Sequence, residues 1–201
     1  MASDVSICNA ALIKLGADTI LELTDNNSRA RAMNERYAAV RDAELYRRRW
    51  RFSLKRAQLP ALATAPLSDY ANAFQVPDDF LRLTEGGDIR SLSDLSDFRD
   101  VCSAPLYSIE GSAILTQLSA PLNIRYIARV TDSGLFHPAF SEALSARLAW
   151  ELCERITQSD SKRQLATADY KTAIAEAVRA QALEVASTSQ ADDTWVAGRL
   201  S

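Results

Sequence analysis

Residues 24–56 read TDNNSRARAMNERYAAVRDAELYRRRWRFSLKR, and the reading of this stretch decides the fold. It opens on turn and cap chemistry: Ser28, or one of Asp25, Asn26 and Asn27, can offer a side-chain oxygen to an orphan N–H of a first helical turn. Met33, Tyr37 and Val40 then fall at i, i+4 and i+7, which places them on one helical face. No glycine or proline interrupts residues 28–59, so a helix of about 30 Å fits at roughly 1.5 Å per residue. The stretch closes on a basic and aromatic cluster. There Trp50, Phe52 and Leu54 alternate with Arg51, Ser53 and Lys55, the period of a strand or an extended exit.

Outward from this helix, Ser3 or Asp4 can cap a short first helix, and Gly16 can end it in the left-handed conformation. Residues 59–77 are rich in alanine and proline, and Pro60, Pro66 and Pro77 exclude regular helix. A strand-rich insertion is expected to follow. VPDDFLRLTEGG reads as a turn, a short strand and a break. LYSIEGSAILTQ reads as a hairpin turning at Gly111-Ser112. Leu122, Ile124, Tyr126 and Ala128 alternate with Asn123, Arg125, Ile127 and Arg129 as a further strand. The acidic stretch from Asp88 to Pro105 reads as a loop. Pro138 suits the first position of a third helix, with Leu144, Leu148, Leu152 and Ile156 at four-residue steps. Ser159, Asp160 and Ser161 break and recap the chain into a fourth, along which Tyr170, Ile174, Val178 and Ala182 recur. The last residues lose all periodicity but carry Trp195, and a polar tail with one large aromatic suggests somewhere to dock.

The expected fold is therefore α+β and mainly α: an antiparallel four-helix bundle from residues 1–58 and 131–187, an inserted small antiparallel β region at 59–130, and an extended C-terminal tail at 188–201. Tyr37, Trp50, Trp150 and Leu148 are the expected core residues.

Composition narrows function. The chain has 201 residues and a net charge of −3, long enough for one full core with a subdomain and not basic enough to bind nucleic acid or membrane through overall charge. Arginines and lysines instead crowd residues 41–56. Cys8, Cys102 and Cys153 are distant, odd in number and without CxxC spacing, which argues against a disulfide framework or a zinc knuckle. Cys8 and Cys153 sit among apolar helical positions, as small core residues in a reducing compartment do. The N-terminus lacks the pattern of a signal peptide, and no stretch approaches the roughly 20 apolar residues of a membrane span.

No catalytic constellation is legible, and neither cofactor nor metal is expected. The one histidine, His137, precedes Pro138 at a helix start, where a cap or turn role is expected; a histidine-based triad or zinc site would have to use it. Gly86-Gly87 is followed by Asp88 and not by the lysine of a P-loop. Asp78-Asp79 after Pro77 reads as turn chemistry, and adjacent carboxylates on extended chain, here or at Asp192-Asp193, point to opposite sides and chelate poorly. Asp78, Asp79 and Glu110 are the carboxylates a hydrolase of cell-wall or nucleic-acid polymers would need.

Arg47, Arg48 and Arg49 are the sharpest feature. They read as a solvated helix end, or as a surface for an acidic protein partner or a phosphate backbone. On a helix, successive residues turn by roughly 100°, so the three would not face a single nucleic-acid strand together. Trp50 and Phe52 could stack bases but are expected in the core.

The order and spacing of several strings resemble one family. ICNAALIKLG, SRARAMNERYAAVRDAELYRRRWRFSLKRAQL, VPDDFLRL, YSIEGSAILT, IRYIARV and FHPAFSEALSARLAWELCERITQS together make the chain from Ile7 to about Ser187 resemble the head-to-tail adaptors of tailed bacteriophages, the tail tubular protein A-like family. The resemblance implies a non-enzymatic virion protein that is assembled in the host cytoplasm and located at the head–tail junction. It implies a homo-oligomeric ring, commonly dodecameric, below the portal protein, with a tail or nozzle protein beneath and DNA passing through the channel without sequence-specific binding. It further implies that the C-terminal segment, which carries Trp195, reaches the portal or adjacent subunits; the basic helix end, as one of the complementary patches a ring needs, adds Arg47, Arg48 and Arg49 as expected intersubunit or portal contacts. A nucleic-acid-binding module using the Arg41–Arg56 segment is the alternative.

Overall fold

The computed structural model describes residues 2–67, 69–87 and 107–183. The first helix, α1 (Asp4–Lys14), begins in a capping box in which Ser3 and Ser6 satisfy each other's backbone N–H groups at 3.1 and 2.8 Å. It ends in a left-handed Gly16 at φ +68, and Ala17 N–H reaches back to the Leu12 carbonyl at 3.0 Å. This is the geometry for which glycine is favoured at a helix end. The connector has no repeat because a side chain shapes it. The Asn9 amide both accepts from Ile20 N–H and donates to the Ile20 carbonyl, each at 2.9 Å, and so seats Ile20 in the core.

Asn27, one of the expected cap residues, starts α2 (Ser28–Arg47) by accepting from Ala30 N–H at 2.8 Å. Met33, Tyr37 and Val40 are buried as their spacing predicts. A buried aromatic joint follows. Trp50 packs edge-on against Phe140 at 4.8 Å between ring centroids, with Phe52 and Phe136 around it. The expected alternation of residues 50–54 is realised first as a 3-10 turn over Arg51–Ser53 and only then as a strand.

Among the described residues, six strands form two three-stranded antiparallel sheets: β1 (Leu54–Leu59), β6 (Leu122–Ala128) and β3 (Phe80–Gly87) in the order β1-β6-β3, and β2 (Asn72–Gln75), β5 (Ala113–Thr116) and β4 (Tyr107–Glu110) in the order β2-β5-β4. In the first sheet Lys55 lies opposite Tyr126 and Leu59 opposite Leu122, while Leu83 meets Tyr126 from the other side. This register puts Leu122, Ile124 and Tyr126 on one face, where they join Leu59, Phe74 and Ile114 in a core of their own. β4 and β5 form the expected hairpin, with Gly111 at φ +60 in its turn. β2 sits inside the alanine- and proline-rich stretch, where no strand is expected from the sequence.

After Pro138 at its first turn, α3 (Pro138–Thr157) buries Leu144, Leu148 and Leu152, and α4 (Asp160–Leu183) returns along it. The bundle expectation is corrected here. α3 packs against α1, α2 and α4, but those three helices meet one another only marginally. The helices therefore surround α3 instead of sharing one central seam, and two sheets with a separate core stand beside them. The protein is α+β with two cores, not a four-helix bundle carrying a small insertion. The stripe on α4 also drifts: Ile174 is buried, but Val178 and Ala182 are exposed while Ala177 is buried in their place. Four-residue steps overshoot a 3.6-residue turn by about 40° each, so a strict i+4 row leaves the contact face.

Candidate functional site

The helical backbone of α2 stops at Arg47, and Arg48 already has extended angles (φ −132, ψ 159). Two contacts hold the exit in place. The buried Trp50 indole N–H donates to the Glu44 carbonyl at 2.9 Å, satisfying one of the carbonyls orphaned at the end of α2. From α4, the Gln181 amide donates to the Arg49 carbonyl at 2.6 Å and accepts from Arg51 N–H at 3.3 Å. Between these anchors Arg47, Arg48, Arg49 and Arg51 are exposed. The helical fan assumed for residues 47–49 is thus replaced by one helical residue followed by extended chain, on which neighbouring side chains alternate in direction.

Behind this arginine edge lies a junction of α2, α3 and α4. The Glu44 side chain is only 1 % exposed. Its Oε1 accepts from the Tyr170 hydroxyl at 2.9 Å, and it lies 3.5 Å from Arg147 Nε and 3.6 Å from an Arg47 nitrogen. The Arg147 guanidinium sits 4.1 Å from the centroid of the Trp150 ring, which stacks on Tyr170 at 5.9 Å and an interplanar angle of 3°. Burial lowers the Arg147 pKa, with Glu44 pulling the other way. Burial, then the charge and hydrogen bond of Glu44, raise that of Tyr170. Glu151 continues the network by pairing with Arg36 and lying 3.6 Å from Arg147, and Glu154 pairs with Arg163 at 3.2 Å.

The structure separates the residues of the 41–56 segment. Arg41 is buried and pairs with Asp42 at 2.8 Å, and Asp42 also holds Arg129 at 2.9 Å. Lys55 Nζ reaches Asp79 at 2.6 Å. Asp78 and Asp79 are the central residues of a turn closed by Phe80 N–H on the Pro77 carbonyl at 3.0 Å. Asp79 also accepts from the Tyr126 hydroxyl at 2.9 Å. Burial raises the Asp79 pKa, but the hydrogen bonds from Lys55 and Tyr126 outweigh it and leave the carboxyl below its ordinary value. Glu110 is exposed on β4, in the other sheet. His137 caps α3, its Nδ1 accepting from Ala139 N–H at 3.2 Å.

Cys8 and Cys153 are buried, as expected. Trp150 is half-buried in the charged junction, unlike the core residues Tyr37, Trp50 and Leu148. Cys102, the Asp88–Pro105 stretch, Asp192-Asp193 and Trp195 lie outside the described residues. Glu44, Arg147, Tyr170 and Gln181 are the junction and bracing residues that the sequence reading did not single out as a site. One signal was legible: Glu44 continues the 33, 37, 40 row of α2, a carboxylate on an apolar stripe.

Fold and surface together define a two-core α+β protein with a braced cationic edge. No family model matches the chain, and no curated protein matches it. Among the described residues, no group of three or more His, Cys, Asp and Glu side chains is placed to hold a metal ion, and no helix is long and apolar enough to cross a membrane.

Proposed function

We infer that this chain is a structural subunit of a tailed-phage virion, a head-to-tail adaptor that forms a ring at the head–tail junction. In this reading the ring docks under the portal protein, carries the tail or nozzle protein below, and contributes to the channel through which DNA passes. The observation that carries the reading is the braced arginine edge. Arg47, Arg48 and Arg49 are exposed on a backbone fixed by Trp50 and Gln181, and Gln181 lies near the C-terminal end of α4 (Asp160–Leu183). The three arginines expected to make contacts thus lie beside the end of α4, the helix that precedes the segment carrying Trp195 in sequence. A closed ring joins unlike patches of successive copies, and a fixed cationic edge is a patch of that kind.

The test is the native mass of the purified full chain, alone and with its portal protein, for the wild type and for Arg47→Glu/Arg48→Glu/Arg49→Glu. A closed oligomer of roughly twelve copies in either wild-type sample, lost in the triple variant, is the expected result for heterologous closure. A wild-type chain that stays monomeric and ignores the portal overturns the reading.

The exposure of Arg47, Arg48, Arg49 and Arg51 within one short stretch favours a second reading, a nucleic-acid-binding module. That reading expects duplex binding that weakens steeply with salt and loses slope in the triple variant. Retention of full duplex affinity by the variant counts against it.

A further inference from the structure

A slot with a volume of about 230 Å³ opens where the end of α1 meets α3 and α4. Its floor is made of small buried residues, Ala146 and Ala149 of α3 and Ala166 of α4. Its rim carries two large apolar side chains, Ile13 and Leu165, left 65 % and 62 % exposed. A low floor of alanines under tall apolar edges accommodates a flat ring, whose large apolar area is the main gain in such a contact. Two exposed aliphatics lining one cavity form a patch where scattered single ones would not. The rim is of mixed charge, lined by Lys14, Lys162 and Asp169. Lys14 Nζ uses one contact on Glu142 at 2.6 Å, and Lys162 Nζ donates to the Leu15 carbonyl at 2.9 Å. Each ammonium has three donors, so both keep capacity for another anion.

The chain carries a segment of matching chemistry. After the end of α4 at Leu183 the sequence continues EVASTSQADDTWVAGRLS, in which a polar spacer leads to Asp192-Asp193 and then Trp195-Val196. The pattern of two carboxylates followed by an indole complements two ammonium groups beside an apolar slot. The lengths also agree. From Leu183 back to Leu165 along α4 is about 27 Å at roughly 1.5 Å per residue. The twelve residues from Leu183 to Trp195 can span up to about 40 Å when extended.

We propose that the C-terminal segment of the same chain docks back into this slot, with Trp195 seated between Ile13 and Leu165 and Asp192-Asp193 beside Lys14 and Lys162. The docking is a property of the unassembled chain and does not rest on the ring reading.

The test uses the full chain labelled with 5-fluorotryptophan, which gives one fluorine resonance for each of Trp50, Trp150 and Trp195; Trp195→Phe assigns the last. At low concentration, with the mass confirmed as monomeric, the Trp195 resonance is expected to be protected from a soluble paramagnetic reagent. Ile13→Glu and Leu165→Glu change exposed positions and are expected to abolish that protection. The resonance of the buried Trp50 stays unchanged in both variants and reports that the fold survives. Broadening of Trp195 in the wild-type monomer equal to that of a free indole overturns the proposal. So does protection that grows with concentration in step with dimer mass, which would make a second copy the occupant.

Discussion

Replacing Arg147 by methionine tests whether the α2–α3–α4 junction works as a charge pair. The substitution keeps most of the aliphatic length and removes the guanidinium, leaving Glu44 almost wholly buried with the exposed Arg47 as its remaining nearby cation. Removing one partner of a buried pair costs about 3–5 kcal/mol, because the remaining charge stays desolvated. Lost stacking on Trp150 adds about 0.5–2 kcal/mol to the effect. The opposite deletion is milder. In Glu44→Gln, Arg147 keeps Glu151 at 3.6 Å, and the main loss is the charged acceptor of the Tyr170 hydroxyl, worth about 1.5–3 kcal/mol. The structure thus dictates an asymmetry, with Arg147→Met the more damaging, and a double variant less damaged than the sum of its parts. Urea unfolding of the wild type, both single variants and the double variant gives the coupling directly, provided the m-value is constant. Additivity within about 0.5 kcal/mol would refute the pairing, and so would a Glu44→Gln variant less stable than Arg147→Met.

Alkaline pH should destabilise the protein through groups that hold their protons only when folded. Burial, reinforced by Asp4, pushes the Cys8 thiol up from 9.0 to about 12, and burial with the Asp79 hydrogen bond and charge pushes Tyr126 up from 10.0 to about 12; Tyr37 moves in the same direction. A raised folded-state pKa means the contribution is complete below the unfolded value and is lost as pH rises through the folded one. Urea midpoints are therefore expected to fall steadily between about pH 9 and 12, and a flat profile would contradict these shifts. Gln181→Ala should free the arginine edge without unfolding the protein. Losing its two exposed hydrogen bonds costs about 0.5–1.5 kcal/mol each at most, and hydrogen exchange at the Arg51 amide should accelerate while that of α3 core amides does not. Unchanged exchange at Arg51 would show that Gln181 is not the brace.

Local signals in the sequence carried most of the secondary structure, because each helix end has its own chemistry. Gly16, the polar run before Ser28 and Pro138 mark helix ends through short-range geometry that survives any tertiary context. Strand β6 and the β4–β5 hairpin were legible for a similar reason, since alternation over seven residues and a glycine turn have few other uses. The helix assembly was not legible. An apolar stripe states that a helix is buried on one face and is silent about how many partners share that face, so α3 surrounded by three helices looks the same in sequence as one member of a four-helix bundle. β2 escaped because a four-residue strand among alanines and prolines gains its order from Phe74 in the inter-sheet core and from pairing with β5, which are contacts distant in sequence.

The arginine edge was half legible for a reason that bears on its use. Three consecutive arginines announce charge, but their presentation depends on Trp50 entering the core six residues after Glu44 and on Gln181 arriving from a helix 130 residues away. A run of cations on a frayed helix end pays conformational entropy whenever it is ordered by a partner. Here the backbone entropy is already spent by folding, because the exit is fixed at the Glu44 carbonyl on one side and at Gln181 on the other. Arg47 is held 3.6 Å from Glu44, whereas the braces fix only the backbone at Arg48 and Arg49, so the edge can adapt to its partner while its origin stays fixed. That combination suits a contact that has to repeat in one geometry from copy to copy, and it makes Gln181→Ala the variant that separates presentation from charge. If the edge closes a ring, Gln181→Ala weakens assembly with all four arginines still in place. If it binds by charge alone, the same variant leaves binding unchanged.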